Sequence, residues 1–178
     1  MSEEMIREEE RVVEERASEA GWVEKALLDR PIGELPHLRR PCCVAPETSC
    51  REAIDRMVAE KVGCVVVVRA GKVAGVFTER DVLCKVAGQP LDLDHTPVER
   101  LMTPDPECLT PTVAIAYALN RMVVGGFRHI PLVDDEGRPV GLVGMRHVVE
   151  CLVDLFPHSV LTLPPSPERT ASRRREGA

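Results

Sequence analysis

Aromatic side chains are almost missing from this sequence: its 178 residues include one Trp, one Tyr and three Phe. Apolar residues still make up 44% of it, so the core has to be assembled from Val, Leu, Ile, Met and Ala. That length suits one ordinary domain or two small ones fused tightly. No stretch approaches the roughly 18 consecutive apolar residues that span a bilayer. The N-terminus, MSEEMIREEE, is acidic with no apolar stretch behind it, so it does not read as a secretory signal and the cytoplasm is the expected location. There is no Gly-rich phosphate loop, no cluster of metal ligands and no nucleophile with a base in a motif, which argues against an enzyme. His37 and His95 sit in Pro-containing connectors, where surface histidines need no role.

Seven cysteines are present, an odd number without a CxxC pair or a disulfide-framework spacing. Cys64, Cys84 and Cys151 fall inside apolar patterns and read as small hydrophobes, so free, mostly buried thiols are expected, with Cys42-Cys43 the pair to watch. Net charge is −6, and residues 1–30, with ten acidic and five basic side chains, account for most of it. The remainder is nearly neutral, so no field draws nucleic acid, and the short run Arg173–Arg175 does not change that.

The spacing of Ile6, Val13, Ala17, Ala20 and Leu27 predicts an acidic helix over 3–28, with Trp22 and Val23 as packing anchors and Pro31 beyond its end. The end of the chain, from about 158 through the Pro-, Ser- and Arg-rich stretch after Pro164, has no periodicity and reads as disordered. Between these segments the chain repeats itself. PIGEL (Pro31–Leu35) returns as PVERL (Pro97–Leu101), and Ala45–Val68 aligns with Thr110–Val133 at an offset of 65. Gly71–Leu83 aligns with Gly137–Val149 at 66, after a one-residue turn insertion. The expected divisions are 1–30 (helix), 31–96 and 97–157 (two repeats) and 158–178 (tail).

Each repeat has the same local grammar. Ser49 and Glu52 form a candidate capping box opening a helix that turns Ala53, Ile54, Met57 and Val58 to one side. The β-branched run CVVVV (Cys64–Val68) reads as a buried strand, RAGK as a turn and VAGVF as the returning strand. Thr78 then opens a second helix through Asp81, Leu83 and Ala87, ended by Gly88 and Pro90. The resulting strand-helix-strand-strand-helix unit, with two helices on one face of a three-stranded sheet, cannot bury its other surface alone. Two copies packed sheet to sheet can.

The repeats differ in their polar residues. GVFTERD (Gly75–Asp81) becomes GLVGMRH (Gly141–His147), so Gly144 and His147 replace Thr78 and Asp81. A Thr with an acidic residue three positions on is an ordinary helix cap. At a strand-to-helix turn the same pair can also hold a phosphate on backbone N–H groups and a ribose diol on the carboxylate. Conversely, FRHIP in repeat 2 puts Arg128 and His129 where repeat 1 has Gly63 and Cys64, and basic side chains beside a buried strand point to an anion.

The duplicated unit, GVFTERD and RHIPLVD resemble the cystathionine-β-synthase-type (CBS) domain pair, or Bateman module, over about Pro31 to Phe156. The resemblance implies an α/β (α+β) fold of tandem CBS repeats with sheets packed together, here with an extra N-terminal helix. It also implies a regulatory sensor of AMP, ADP, ATP or S-adenosylmethionine, bound between the repeats, in a homodimer that reports to a protein partner. Carried onto this sequence, it assigns Thr78 and Asp81 to ribose and phosphate, completed by Arg128, His129 and Arg146. Val76 and Thr103 fall on the adenine side, and Ile130 is counted with the ligand-binding residues. The opposite cleft, with Gly144, His147, Gly63 and Cys64, lacks the carboxylate and the cations, so one nucleotide per chain is expected. The alternative is a ligand-free dimerisation scaffold whose acidic helix docks a partner.

Overall fold

The computed structural model describes residues 29–36, 38 and 40–155; the helix expected over 3–28, His37 and the tail expected from 158 lie outside the described residues. Helix α1 (Cys50–Glu60) starts where the Ser49 hydroxyl accepts from the Glu52 N–H at 3.2 Å. The Glu52 carboxylate turns forward to Arg56 at 2.8 Å, so only half of the expected capping box forms. The helix ends at Lys61, which takes the left-handed conformation. It buries Cys50, Ala53 and Met57, and its counterpart α3 (Ile115–Gly125) buries Ile115, Ala118 and Met122, the same three positions 65 residues on.

Strands β2 (Cys64–Arg69) and β3 (Lys72–Thr78) form an antiparallel hairpin closed by Ala70 and Gly71, both at positive φ, which matches the right-handed strand twist. In repeat 2, β5 (His129–Val133) and β6 (Pro139–Gly144) form the equivalent hairpin around Gly137. Even the irregularity is duplicated: the register slips at Val67/Val68 and again at Leu132/Val133. The hairpin tips meet, the Val73 N–H donating to Gly137 O at 3.3 Å.

A three-stranded sheet per repeat is not what forms. Strand β1 (Cys43–Val44) runs parallel to β2, and the opening connector of repeat 2 adds β4 (Thr103–Pro104) to the far edge of β3, giving the order β1-β2-β3-β4. In repeat 2 the counterpart of β1 is a single bridge, Leu109 to Leu132, beside the two-stranded sheet. Val65 and Val67 face the helices and Cys64 and Val66 the opposite side, yet all four are fully buried, so both faces of β2 are covered.

The segment that opens each repeat packs into the other one. Pro31 bridges Ala114, the Ile32 N–H donates to Val113 O at 2.7 Å, and Ile32 and Leu35 are buried in the core of Ile115, Met122, Ile130 and Leu132. Reciprocally, Pro97 bridges Ser49, the Val98 N–H donates to Thr48 O at 2.8 Å, and Val98 lies in the core of Met57, Val65, Val67 and Phe77. The two cores are thereby laced together by apolar anchors of about 2 kcal/mol each.

Helix α2 (Glu79–Asp81) is one turn that widens into a π-helical segment, Val82–Val86, closed by the Ala87 N–H on Val82 O at 2.9 Å. The wider turn leaves Leu83 and Cys84 exposed, so Cys84 does not behave as the core thiol that its apolar surroundings in sequence imply. All seven thiols are free: Cys42, Cys50, Cys64 and Cys151 are buried, Cys43 and Cys84 exposed, and Cys108 half-buried. Helix α4 (Met145–Leu155) closes repeat 2 with Val148 and Cys151 inward. Among the described residues no helix is long and apolar enough to cross a membrane.

Candidate functional site

Where β3 runs into α2, the Thr78–Asp81 pair closes a complete capping box. Asp81 Oδ2 accepts from the Thr78 N–H at 2.9 Å and from its hydroxyl at 2.7 Å, while the Asp81 N–H returns to Thr78 Oγ1 at 3.3 Å. Among the described residues, Asp81 is one of two buried polar residues, with Thr96. Its other oxygen, Oδ1, faces Lys85 Nζ at 2.7 Å and the Thr103 hydroxyl at 3.5 Å.

This turn forms one wall of a cavity of about 320 Å³. Val76, Thr78, Asp81 and Thr103, all singled out in the sequence, line it from repeat 1 and the connector, and Arg128 and His129 line it from repeat 2. The repeats approach there because the Arg80 guanidinium donates to Gly126 O at 2.8 Å, just beyond α3. Two sequence candidates stand elsewhere. Ile130 is fully buried in the second core, since alternation along β5 turns it away from the cavity that His129 faces. Arg146 lies on the surface of α4 with its side chain 87% exposed, paired one turn on with Glu150 at 2.7 Å.

The cavity also takes residues that the sequence did not single out. Glu79 comes from the same turn, next to Arg80, Phe127 precedes Arg128, and Asp105, Pro106 and Glu107 come from the connector. Gly63, expected in the opposite cleft, lines this one, because its carbonyl accepts the Glu79 N–H at 3.1 Å and draws the start of β2 toward α2. A Cβ there would stand 3.2 Å from the Glu79 carboxylate. In repeat 2, His147 imitates the aspartate's capping role, its Nδ1 accepting from the Gly144 N–H at 3.0 Å.

Protonation follows from these surroundings. Burial, then the Arg128 guanidinium, with a smaller contribution from His147, hold His129 below the usual histidine range, opposed by Glu79. Glu107 is held below the usual carboxylate range by bidentate hydrogen bonds from Arg121, at 2.5 and 2.8 Å. Burial, with Asp81 and Cys42 adding to it, pushes the Cys64 thiol up to about 12, so it stays protonated beside the site. Cys42 is likewise pushed up to about 12, by burial and by its hydrogen bond to Glu60 at 3.1 Å. Neither thiol is a nucleophile at neutral pH.

The same fold recurs in known proteins. The CBS domain pattern matches residues 32–88 and again 98–154. The chain belongs to the CBS domain family. It is 34% identical over 112 residues to the meiotically up-regulated gene 70 protein of Schizosaccharomyces pombe, a match covering 63% of this chain but 15% of that protein. Among solved structures it resembles a CBS-domain-containing protein from Agrobacterium tumefaciens, with 34% identity, a TM-score of 0.59, and coverage of 64% and 90% of the two chains. It also resembles a CBS domain protein from Pyrobaculum aerophilum, solved complexed with AMP, with 26% identity, a TM-score of 0.63, and coverage of 72% and 99%.

Proposed function

We propose that this CBS pair is a regulatory module that binds an adenosine nucleotide of the AMP, ADP or ATP type, one per chain, between its repeats. The observation that carries this reading is the meeting of Thr78 and Asp81 from one repeat with Arg128 and His129 from the other in a single cavity. A buried carboxylate suits a ribose diol and a guanidinium suits a phosphate. At the equivalent positions of the other half stand Gly144, His147, Gly63 and Cys64, which offer neither. The AMP complex of the Pyrobaculum aerophilum relative supports the ligand class.

The module acts as a homodimer reporting to a protein partner. Val58 and Val123 occupy the same helix position in the two repeats and stand 71% and 73% exposed, and Leu83 and Val149 repeat the pattern. Apolar residues kept outward at matched positions suit a two-fold partner surface.

The scaffold reading has one observation on its side: Asp81 is already saturated by Thr78, Lys85 and Thr103 without any ligand. Thermal-shift and calorimetric titrations with AMP, ADP, ATP and S-adenosylmethionine separate the two readings. A ligand at 100 times its Kd adds about 2.7 kcal/mol, which is easily seen in Tm. Saturation near one site per chain, weakened by Asp81→Asn, supports the sensor. No shift with any of the four leaves the scaffold.

A further inference from the structure

The charges around the cavity do not suit a polyphosphate. Four carboxylates line it, Glu79, Asp81, Asp105 and Glu107, against two guanidinium groups, Arg80 and Arg128, and a histidine whose burial keeps it neutral. Two of the carboxylates are neutralised from behind, Asp81 by Lys85 at 2.7 Å and Glu107 by Arg121 at 2.5 Å. Among the described residues no cation pairs with Glu79 or Asp105. No described carboxylate engages either guanidinium; Arg80 is turned to Gly126 O, which holds it in place but leaves its charge, and Arg128 is the one whose donors no described acceptor takes.

These charges share the cavity with Arg128 and His129, the groups suited to a phosphate. The Glu79 carboxylate lies over Gly63 at the start of β2, and its field reaches His129 at the start of β5. Asp105 stands on the connector side of the cavity at φ +44°, a left-handed conformation unusual for a residue with a side chain, anchored by its N–H on Ala74 O at 3.2 Å. With Arg80 and Arg128 set against Glu79 and Asp105 the lining has no net positive charge, so Arg128 can meet one phosphate and nothing is left over for a second. Each further phosphate adds charge that only the carboxylates face. The volume agrees: about 320 Å³ is at the small end of ligand cavities.

Resting on the adenosine-nucleotide reading of this cavity, we propose that its ligand is an adenosine derivative carrying no more than one phosphate. Glu79 and Asp105 are specificity residues that turn away the di- and triphosphate.

The test is a calorimetric series of adenosine, AMP, ADP and ATP on the full chain, run once with EDTA and once with Mg²⁺, and repeated on Glu79→Gln/Asp105→Asn. Both side chains belong to exposed residues, so the variant keeps its fold, and its melting curve checks this. We expect AMP to bind about tenfold tighter than ATP, in line with one or two uncompensated charges at a half-open site. The double variant is expected to raise ATP affinity more than AMP affinity and so narrow that gap. ATP binding as tightly as AMP to the wild type, with or without Mg²⁺, overturns the proposal while leaving nucleotide binding intact. An unchanged AMP-to-ATP ratio in the variant removes Glu79 and Asp105 from the specificity role. Failure of every compound in the series to bind takes down the underlying site reading and the proposal together.

Discussion

Lys85 Nζ stands 2.7 Å from Asp81 Oδ1 and, at the same distance, donates to Leu101 O. The aspartate is therefore held at both ends: Oδ2 by the cap at Thr78, Oδ1 by an ammonium that has a second acceptor to fall back on. A diol arriving at Asp81 need not disturb the cap. It has to displace Lys85, which keeps its carbonyl, and the longer contact from Thr103. On the proposed reading, ligand binding would use Oδ1 and the helix start Oδ2 of one carboxylate, and substitutions can separate them.

Asp81→Asn keeps an oxygen for the Thr78 N–H and loses the charge, so it is expected to cost less than about 1 kcal/mol of stability while weakening nucleotide binding about tenfold. Lys85→Ala is expected to do the reverse and tighten binding a few-fold, because it removes the competitor at Oδ1. A partly exposed ion pair of this kind contributes at most about 1 kcal/mol to the fold. Titration of both variants beside chemical denaturation checks the pair. Loss of binding in Lys85→Ala would show that the ammonium is part of the site rather than a competitor.

The exchange of opening segments predicts where damage travels. Ile32→Ala deletes a fully buried side chain and is expected to cost about 2–4 kcal/mol. The lost protection should appear in repeat 2, in α3 and β5, although the substitution is in the segment that opens repeat 1. Hydrogen exchange read peptide by peptide decides this; a loss centred on α1 and β2 instead would contradict the lacing described for the two cores.

That lacing was not legible in the sequence, whereas the duplication was. Buried positions recur at a fixed offset, so Cys50, Ala53 and Met57 announce Ile115, Ala118 and Met122. By contrast, Ile32 and Val98 are apolar residues after a proline, and nothing in their local pattern says which core receives them. Strand β4 was equally hidden: Thr103–Pro104 is two residues long, and its pairing is created by the free edge of β3. In the site, Thr78, Asp81, Arg128 and His129 stood out because one repeat kept what the other replaced. Glu79 and Asp105 did not, since an exposed carboxylate in a motif or a connector looks like any solvated charge. Ile130 and Arg146 could have been set aside by periodicity: one alternates with His129 along a strand, and the other sits four residues before Glu150 on a helix.

His129 gives the site a pH dependence of definite sign. Its folded-state pKa is depressed by burial, Arg128 and His147. Above about pH 7.5 it is neutral in both the folded and unfolded chains and contributes no pH dependence. Below that, the unfolded chain takes the proton first, and stability falls until the folded-state pKa is passed. Melting curves between about pH 7.5 and 5 are expected to show a smaller acid-side decline in His129→Gln than in the wild type. Equal declines would assign the effect to other groups.

The paired exposed valines predict the assembly. If Val58 and Val123 face a second copy, placing a carboxylate at both puts unpaired charges into an apolar contact, and Val58→Glu/Val123→Glu is expected to run as a monomer where the wild type runs as a dimer. In a monomer these surface positions tolerate charge, so the variant's own fold should lose no more than about 0.5 kcal/mol beyond what dissociation costs. Light scattering across a concentration series measures the assembly, and circular dichroism checks the fold. A wild type that is monomeric at every concentration removes the homodimer. A variant that remains dimeric moves the interface to another face.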